Sequence, residues 1–181
     1  ARRAAEAVEA AYPGLPGEWC STAAALWLDA GDRTAAGRLF VDAGRRALAQ
    51  GAADSAVTLL DRAHDLLADD DPMARADLVE ALIGALSEAG QVDRTLALVG
   101  LLDELGGGLD HQRRARLHTR VAWAAAVTGR PTDGLRQVEV ARALLGPDAS
   151  PEDLAPVDVV TAHLLLDVPG QDQLSTAEAL A

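Results

Sequence analysis

The sequence predicts an all-α protein built from antiparallel helix pairs, and three observations carry that expectation. Ala and Leu dominate a chain that is 49% hydrophobic and only 3% aromatic; both are strong helix formers, whereas strands favour β-branched and aromatic residues. Apolar residues recur at helical spacing: Val57, Leu60, Ala63, His64 and Leu67 share one face, as do Leu78, Leu82, Ala85, Leu86 and Ala89. Short glycine turns then break the helical segments at a fixed interval, with Gly51, Gly90 and Gly129 each 39 residues apart. A further turn at Gly14 precedes this series, and Val168-Pro169-Gly170 follows it.

The elements follow in order. A weak helix over 2–11 precedes helices near 18–30, 33–49, 53–68, 72–89, 93–105, 110–128, 132–145 and 151–167. At Gly51, Gly90 and Gly129 a left-handed glycine closes one helix, and Asp54, Asp93 and Thr132 or Asp133 are placed to cap the next. Asp69-Asp70-Asp71-Pro72 gives a cap followed by Pro at the first helical position. Gly106-Gly107-Gly108 separates the next pair, and Ser150 with Asp153 forms a capping box before the last helix. The expected organisation is one helical-repeat domain over 1–181. Its pairs lie near 18–49, 53–68 with a flanking helix, 72–105 and 110–145, and an incomplete one covers 151–181. The sequence lacks an initiator Met and stops within the helix-like Ser175–Ala181, so it is expected to be a piece of a longer chain.

Inside the pairs a finer pattern appears. Five, nine and twelve residues after Gly31 stand Ala36, Phe40 and Ala43; after Gly51, Ala56, Leu60 and Ala63; after Gly129, Gly134, Val138 and Ala141. Small residues let two helices approach closely, and the large one fills the groove between them. After Gly90 the same positions hold Thr95, Val99 and Leu102, so one small contact is missing. The small–large–small spacing resembles the tetratricopeptide repeat and implies a right-handed solenoid of stacked helix pairs. The 39-residue period is longer than the usual repeat of roughly 34, and Gly31 lies only 20 residues before Gly51. Helix 33–49 is therefore expected to serve two successive pairs. Ala25–Asp32 continued by Ala43–Ala52 resembles the start of the helical arm in large actinobacterial ATP-binding regulators of the LuxR type, related to MalT, with the likeness covering roughly 18–105.

Composition excludes several chemistries. All 16 basic side chains are Arg, so the segment has no lysine for a Walker loop, a Schiff base or pyridoxal phosphate. The single cysteine, Cys20, forms no intrachain disulfide and is expected to be a buried thiol in a cytoplasmic protein. A net charge of −12 argues against direct nucleic-acid binding. No apolar run approaches the roughly 20 residues of a membrane span. Charge is nonetheless uneven: Asp54–Glu104 carries 12 acids against 3 Arg, and Asp110–Arg142 carries 7 Arg against 3 acids.

The candidate site is that basic stretch. Arg113, Arg114, Arg116 and Arg120 form its densest cluster, a candidate partner or anion contact, with Trp123 on the Arg116–Arg120 face. The commoner outcome for such a pattern is a solvated face with the tryptophan in the core. His111 and His118 stand too far apart for a zinc site, and neither a metal nor a cofactor is expected. His64 and His163 are expected to pack or to hydrogen-bond between helices, and Trp19 and Trp27 to pack between repeats. No catalytic residues are expected. The resemblance implies a non-catalytic sensor and interaction arm, between an ATP-binding module and a DNA-binding helix-turn-helix, whose partners are other domains of the parent, a partner protein or a small-molecule effector. The alternative is a scaffold in another multidomain signalling protein, without a small ligand.

Overall fold

A computed structural model describes residues 1–67, 72–104 and 109–166, and no strand occurs among them. The chain divides into two compact units, Ala1–Ala89 and Gly90 onward. The first contains α1 (Arg2–Ala11), α2 (Trp19–Asp29), α3 (Arg33–Ala49), α4 (Ala53–Leu67) and α5 (Pro72–Glu88). The second contains α6 (Val92–Ala97), α7 (Val99–Glu104), α8 (His111–Val127), α9 (Pro131–Leu145) and α10 (Pro151–Leu166). The tract 69–71, the glycines 106–108 and everything from 167 onward lie outside the described residues.

In the first unit each helix packs on its predecessor, and α3 also reaches α5. In the second, α8 packs on α6, α9 and α10, and α10 on α9. Packing therefore runs between neighbours and next-but-one neighbours. The small–large–small positions explain why. Ala36, Phe40 and Ala43, Ala56, Leu60 and Ala63, and Val138 and Ala141 are all buried, and so is Gly134. Fully burying a side chain such as Leu60 contributes about 1.5–3 kcal/mol. His64, expected on the same apolar face as Val57, Leu60 and Leu67, is instead exposed, because that face is narrower than the spacing suggested.

The turns close as Gly51 and Gly129 require. Each takes a positive φ, +75° and +72°. The amide after each, on Ala52 and Arg130, returns to the carbonyl of Ala47 or Ala125 at 2.9 Å, a Schellman closure that side chains with a Cβ disfavour. Asp54, Asp93 and Asp133 do not cap the following helices. The helix at Ala53 begins where expected and those at Val92 and Pro131 one residue nearer the glycine, so all three carboxylates sit within the first turns, where the helix dipole favours them. Ser150 caps α10 as expected, its Oγ accepting from the Asp153 amide at 3.2 Å, but the Asp153 carboxylate answers to the Ser150 hydroxyl at 2.7 Å rather than to its backbone amide, so half of the capping box forms.

The expected helix 93–105 is broken at Leu98 into α6 and α7. This is the stretch whose small-residue pattern fails. Thr95 and Leu102 are buried, but Val99 is only half-buried, and Val99-Gly100 is a weak helix-forming pair. The Leu98 amide shares the Arg94 and Thr95 carbonyls at 3.3 Å each, the tightened bonding of a helix end.

Leu15 is the one described non-glycine residue with a left-handed backbone, at φ +47°. It is buried with Cys20, Ala23 and Ala43. Arg46 of α3 donates to the carbonyls of Leu15 and, at 2.7 Å, of Gly14, which fixes the α1–α2 loop in this conformation. Trp19 and Trp27 pack toward α1 and the residue that follows it: Trp19 stacks on Tyr12 with ring centroids 3.9 Å apart, and Trp27 Nε1 donates to Glu9 Oε1 at 2.7 Å.

Candidate functional site

The two units repeat one another at an offset of 78 residues, twice the turn interval. Arg33–Ala49 of α3 maps onto His111–Val127 of α8, and Ala53–Leu67 of α4 onto Pro131–Leu145 of α9, with identical boundaries. Their caps correspond as well. Asp32 Oδ1 accepts from the Ala35 amide at 3.0 Å, and Asp110 Oδ1 accepts from the Arg113 amide at 2.6 Å. One further residue is inserted before the next helix, so α5 and α10, each opening on proline, correspond at 79.

Each unit carries a groove at the equivalent place, between a helix and its next-but-one neighbour. The α3–α5 groove encloses about 410 Å³ and is lined by Arg38, Val41 and Leu67, with Met73, Ala74 and Asp77 opposite. The α8–α10 groove encloses about 340 Å³, and Arg116, Thr119 and Leu145 occupy the equivalent positions, facing Glu152, Asp153 and Pro156. Both have a guanidinium on the first wall, carboxylate on the second and an apolar floor. Pro156 has no amide to donate to the Glu152 carbonyl, so that acceptor lacks its helical donor beside the groove. An extended polypeptide, which offers donors, acceptors and side chains of either sign, matches such walls better than a ligand of one charge.

The candidate arginines divide between environments. Arg113 and Arg114 are half-buried in the first turn of α8, while Arg116 and Arg120 are exposed one turn apart. Trp123, expected in the core, is 44% exposed on the Arg116–Arg120 side, and its ring lies 5.1 Å from that of His163 in a tilted arrangement. His163 thus packs between helices as expected. His111 and His118 are separated: the first is exposed, and the second is buried with Nδ1 2.9 Å from Gln137 Oε1. Among the described residues no three metal-ligating side chains converge. Cys20 is buried with Sγ 3.2 Å from the Leu39 carbonyl, and burial raises its pKa, with nearby Asp42 adding to the effect and Arg46 opposing it.

No family model, curated protein or solved structure matches the chain. Among the described residues no helix is long and apolar enough to cross a membrane.

The sequence pointed to Arg116 and Arg120 but missed Arg38, Asp77 and the groove walls. The signal was present in the 78-residue offset, which pairs Arg38 with Arg116 and Leu67 with Leu145. Reading it required knowing that α3 and α8 supply most of one groove wall, while α4 and α9 contribute only their last residues, Leu67 and Leu145.

Proposed function

We propose that the chain is a non-catalytic interaction and regulatory arm of tetratricopeptide-like helix pairs, in which the groove of each unit holds a polypeptide segment. One observation carries this reading: the same amphoteric groove occurs in both units at corresponding residues, Arg38 and Arg116, Val41 and Thr119, Leu67 and Leu145. Next-but-one packing of α3 on α5 and of α8 on α10 supports the stacked arrangement, since each such repeat contacts only its neighbours. In this reading α3 and α5 wall the groove of the first unit and α8 and α10 that of the second, with α4 and α9 behind them contributing Leu67 and Leu145.

The parent is a cytoplasmic ATP-binding regulator of the LuxR type, and the segment held is a neighbouring domain of that parent or a protein that controls it. Binding shifts the regulator between inactive and active states to the extent that it favours one of them. Sequencing the reading frame on both sides tests the regulator assignment. A Gly-x-x-x-x-Gly-Lys-Ser/Thr loop upstream and a helix-turn-helix downstream are expected; flanks with neither overturn it. Titrating the flanking domains against this chain then tests the interaction. Binding that weakens when Arg38 and Arg116 are both changed to Glu is expected, and binding indifferent to that change contradicts the groove.

A further inference from the structure

Resting on the interaction-module reading, we infer that the exposed face shared by α8 and α10 docks an acidic, apolar-bearing segment of a partner protein. Helix α8 holds four Arg and no carboxylate within a chain of net charge −12. Its first turn carries Arg113 and Arg114, where the positive end of the helix dipole opposes cations. The charge pattern therefore works against local helix stability. The equivalent stretch of α3 is different, with Asp42 and Arg45 at the positions of Arg120 and Trp123, so this cationic–aromatic face belongs to the second unit alone.

Arg116 and Arg120 are exposed and make no ion pair or hydrogen bond among the described residues. Beyond them the face turns apolar. Trp123, Val127, Val159 and Leu166 are 44%, 54%, 62% and 59% exposed. Two guanidiniums one turn apart suit carboxylates, and Trp123, braced by His163, offers a rigid aromatic anchor of the kind that dominates interface energetics. At the far end, Asp153 is held by Ser150 and by Gln112 at 2.7 and 3.1 Å, and Glu152 lines the groove beside Arg116. These carboxylates repel an acidic ligand there. They therefore set its direction, with carboxylates toward Arg120 and apolar side chains over Trp123 and Val159.

The test is to pan a random peptide display library against the whole chain. Selected peptides are expected to be rich in Asp and Glu, to carry a large apolar residue, and to bind less well as salt screens the charges. Binding should fall by at least about tenfold in the double variant Arg116→Gln/Arg120→Gln and several-fold in Trp123→Ala. Both variants alter exposed side chains and should keep the parent's circular dichroism and melting temperature, and Arg3→Gln should leave binding unchanged. Selection of neutral or basic peptides, or of acidic ones indifferent to both variants, overturns the inference. Duplex DNA competing as well as the peptides overturns it in favour of a phosphate site. Sedimentation showing self-association that disappears in Arg120→Gln replaces the partner by a second copy. Binders sensitive to Arg38 instead of Arg116 and Arg120 sink this placement alone; a library that yields no binder sinks the interaction-module reading with it.

Discussion

Changing Gly44 to Ala should destabilise the protein, although the same change at an ordinary exposed helix position does the opposite. A Cβ built on Gly44 would lie 2.6 Å from Leu60 Cγ and 2.9 Å from Cδ2. Leu60 is fully buried, and its Cγ moves only by rotating the whole side chain into packed neighbours. Overpacking of this kind costs about 1–3 kcal/mol, against a gain of up to roughly 1 kcal/mol from replacing a helical glycine. Even with the full gain offset, the net loss reaches about 2 kcal/mol, or up to roughly 8 °C in melting temperature for a chain of this length. The second unit shows the compensation. At the positions equivalent to Gly44 and Leu60 it has Ala122 and Val138, the same number of side-chain carbons divided differently. The double variant Gly44→Ala/Leu60→Val should therefore recover most of the loss. Gly100→Ala, where nothing lies within 4 Å, should stabilise slightly. Urea and thermal unfolding followed by circular dichroism read all three. A Gly44→Ala protein as stable as Gly100→Ala would refute the close-approach argument, and a double variant worse than the single would refute the equivalence of the units.

Gln137→Leu should cost about 1–3 kcal/mol by removing the Oε1 that buried His118 Nδ1 pairs with. His118→Phe/Gln137→Leu, which copies Phe40 and Leu59 at the equivalent positions, should recover most of it in urea melts. Arg46→Gln strips donors from the Gly14 and Leu15 carbonyls and should lower stability by about 1–3 kcal/mol, with faster hydrogen exchange confined to the α1–α2 loop; unchanged exchange there would count against it. The Cys20 thiol should react with a disulfide reagent only on unfolding. Because its folded pKa is raised, the unfolded thiol ionises first. That contribution to stability is present below the unfolded pKa of about 8.5 and is lost as pH climbs past it. Cys20→Ala should flatten this alkaline slope in unfolding measured across that range.

The helices and their ends were legible because their determinants are local. Gly51, Gly129, Ser150 and the proline starts mark helix ends by backbone geometry that few other residues supply, and boundaries such as 33–49 followed. The break at Leu98 was foreshadowed only by the poor fit of Thr95, Val99 and Leu102 to the repeat, since periodicity continues through it. The site was less legible. Trp123 and His64 show why: hydrophobicity and spacing define a helix's stripe, but which side of that stripe meets a neighbour depends on packing that sequence does not state. The asymmetry of Arg113 and Arg114 against Arg116 and Arg120 has the same origin.

The measurement that tests the central claim most directly is hydrogen–deuterium exchange of the whole chain with and without a library-selected peptide. The account predicts added protection in α3 and α5 around residues 38–45 and 73–77, or in α8 and α10 around 112–123 and 152–163, with the backing helices α4 and α9 unchanged. Protection appearing on α4 and α9 while the grooves stay unaltered would contradict it.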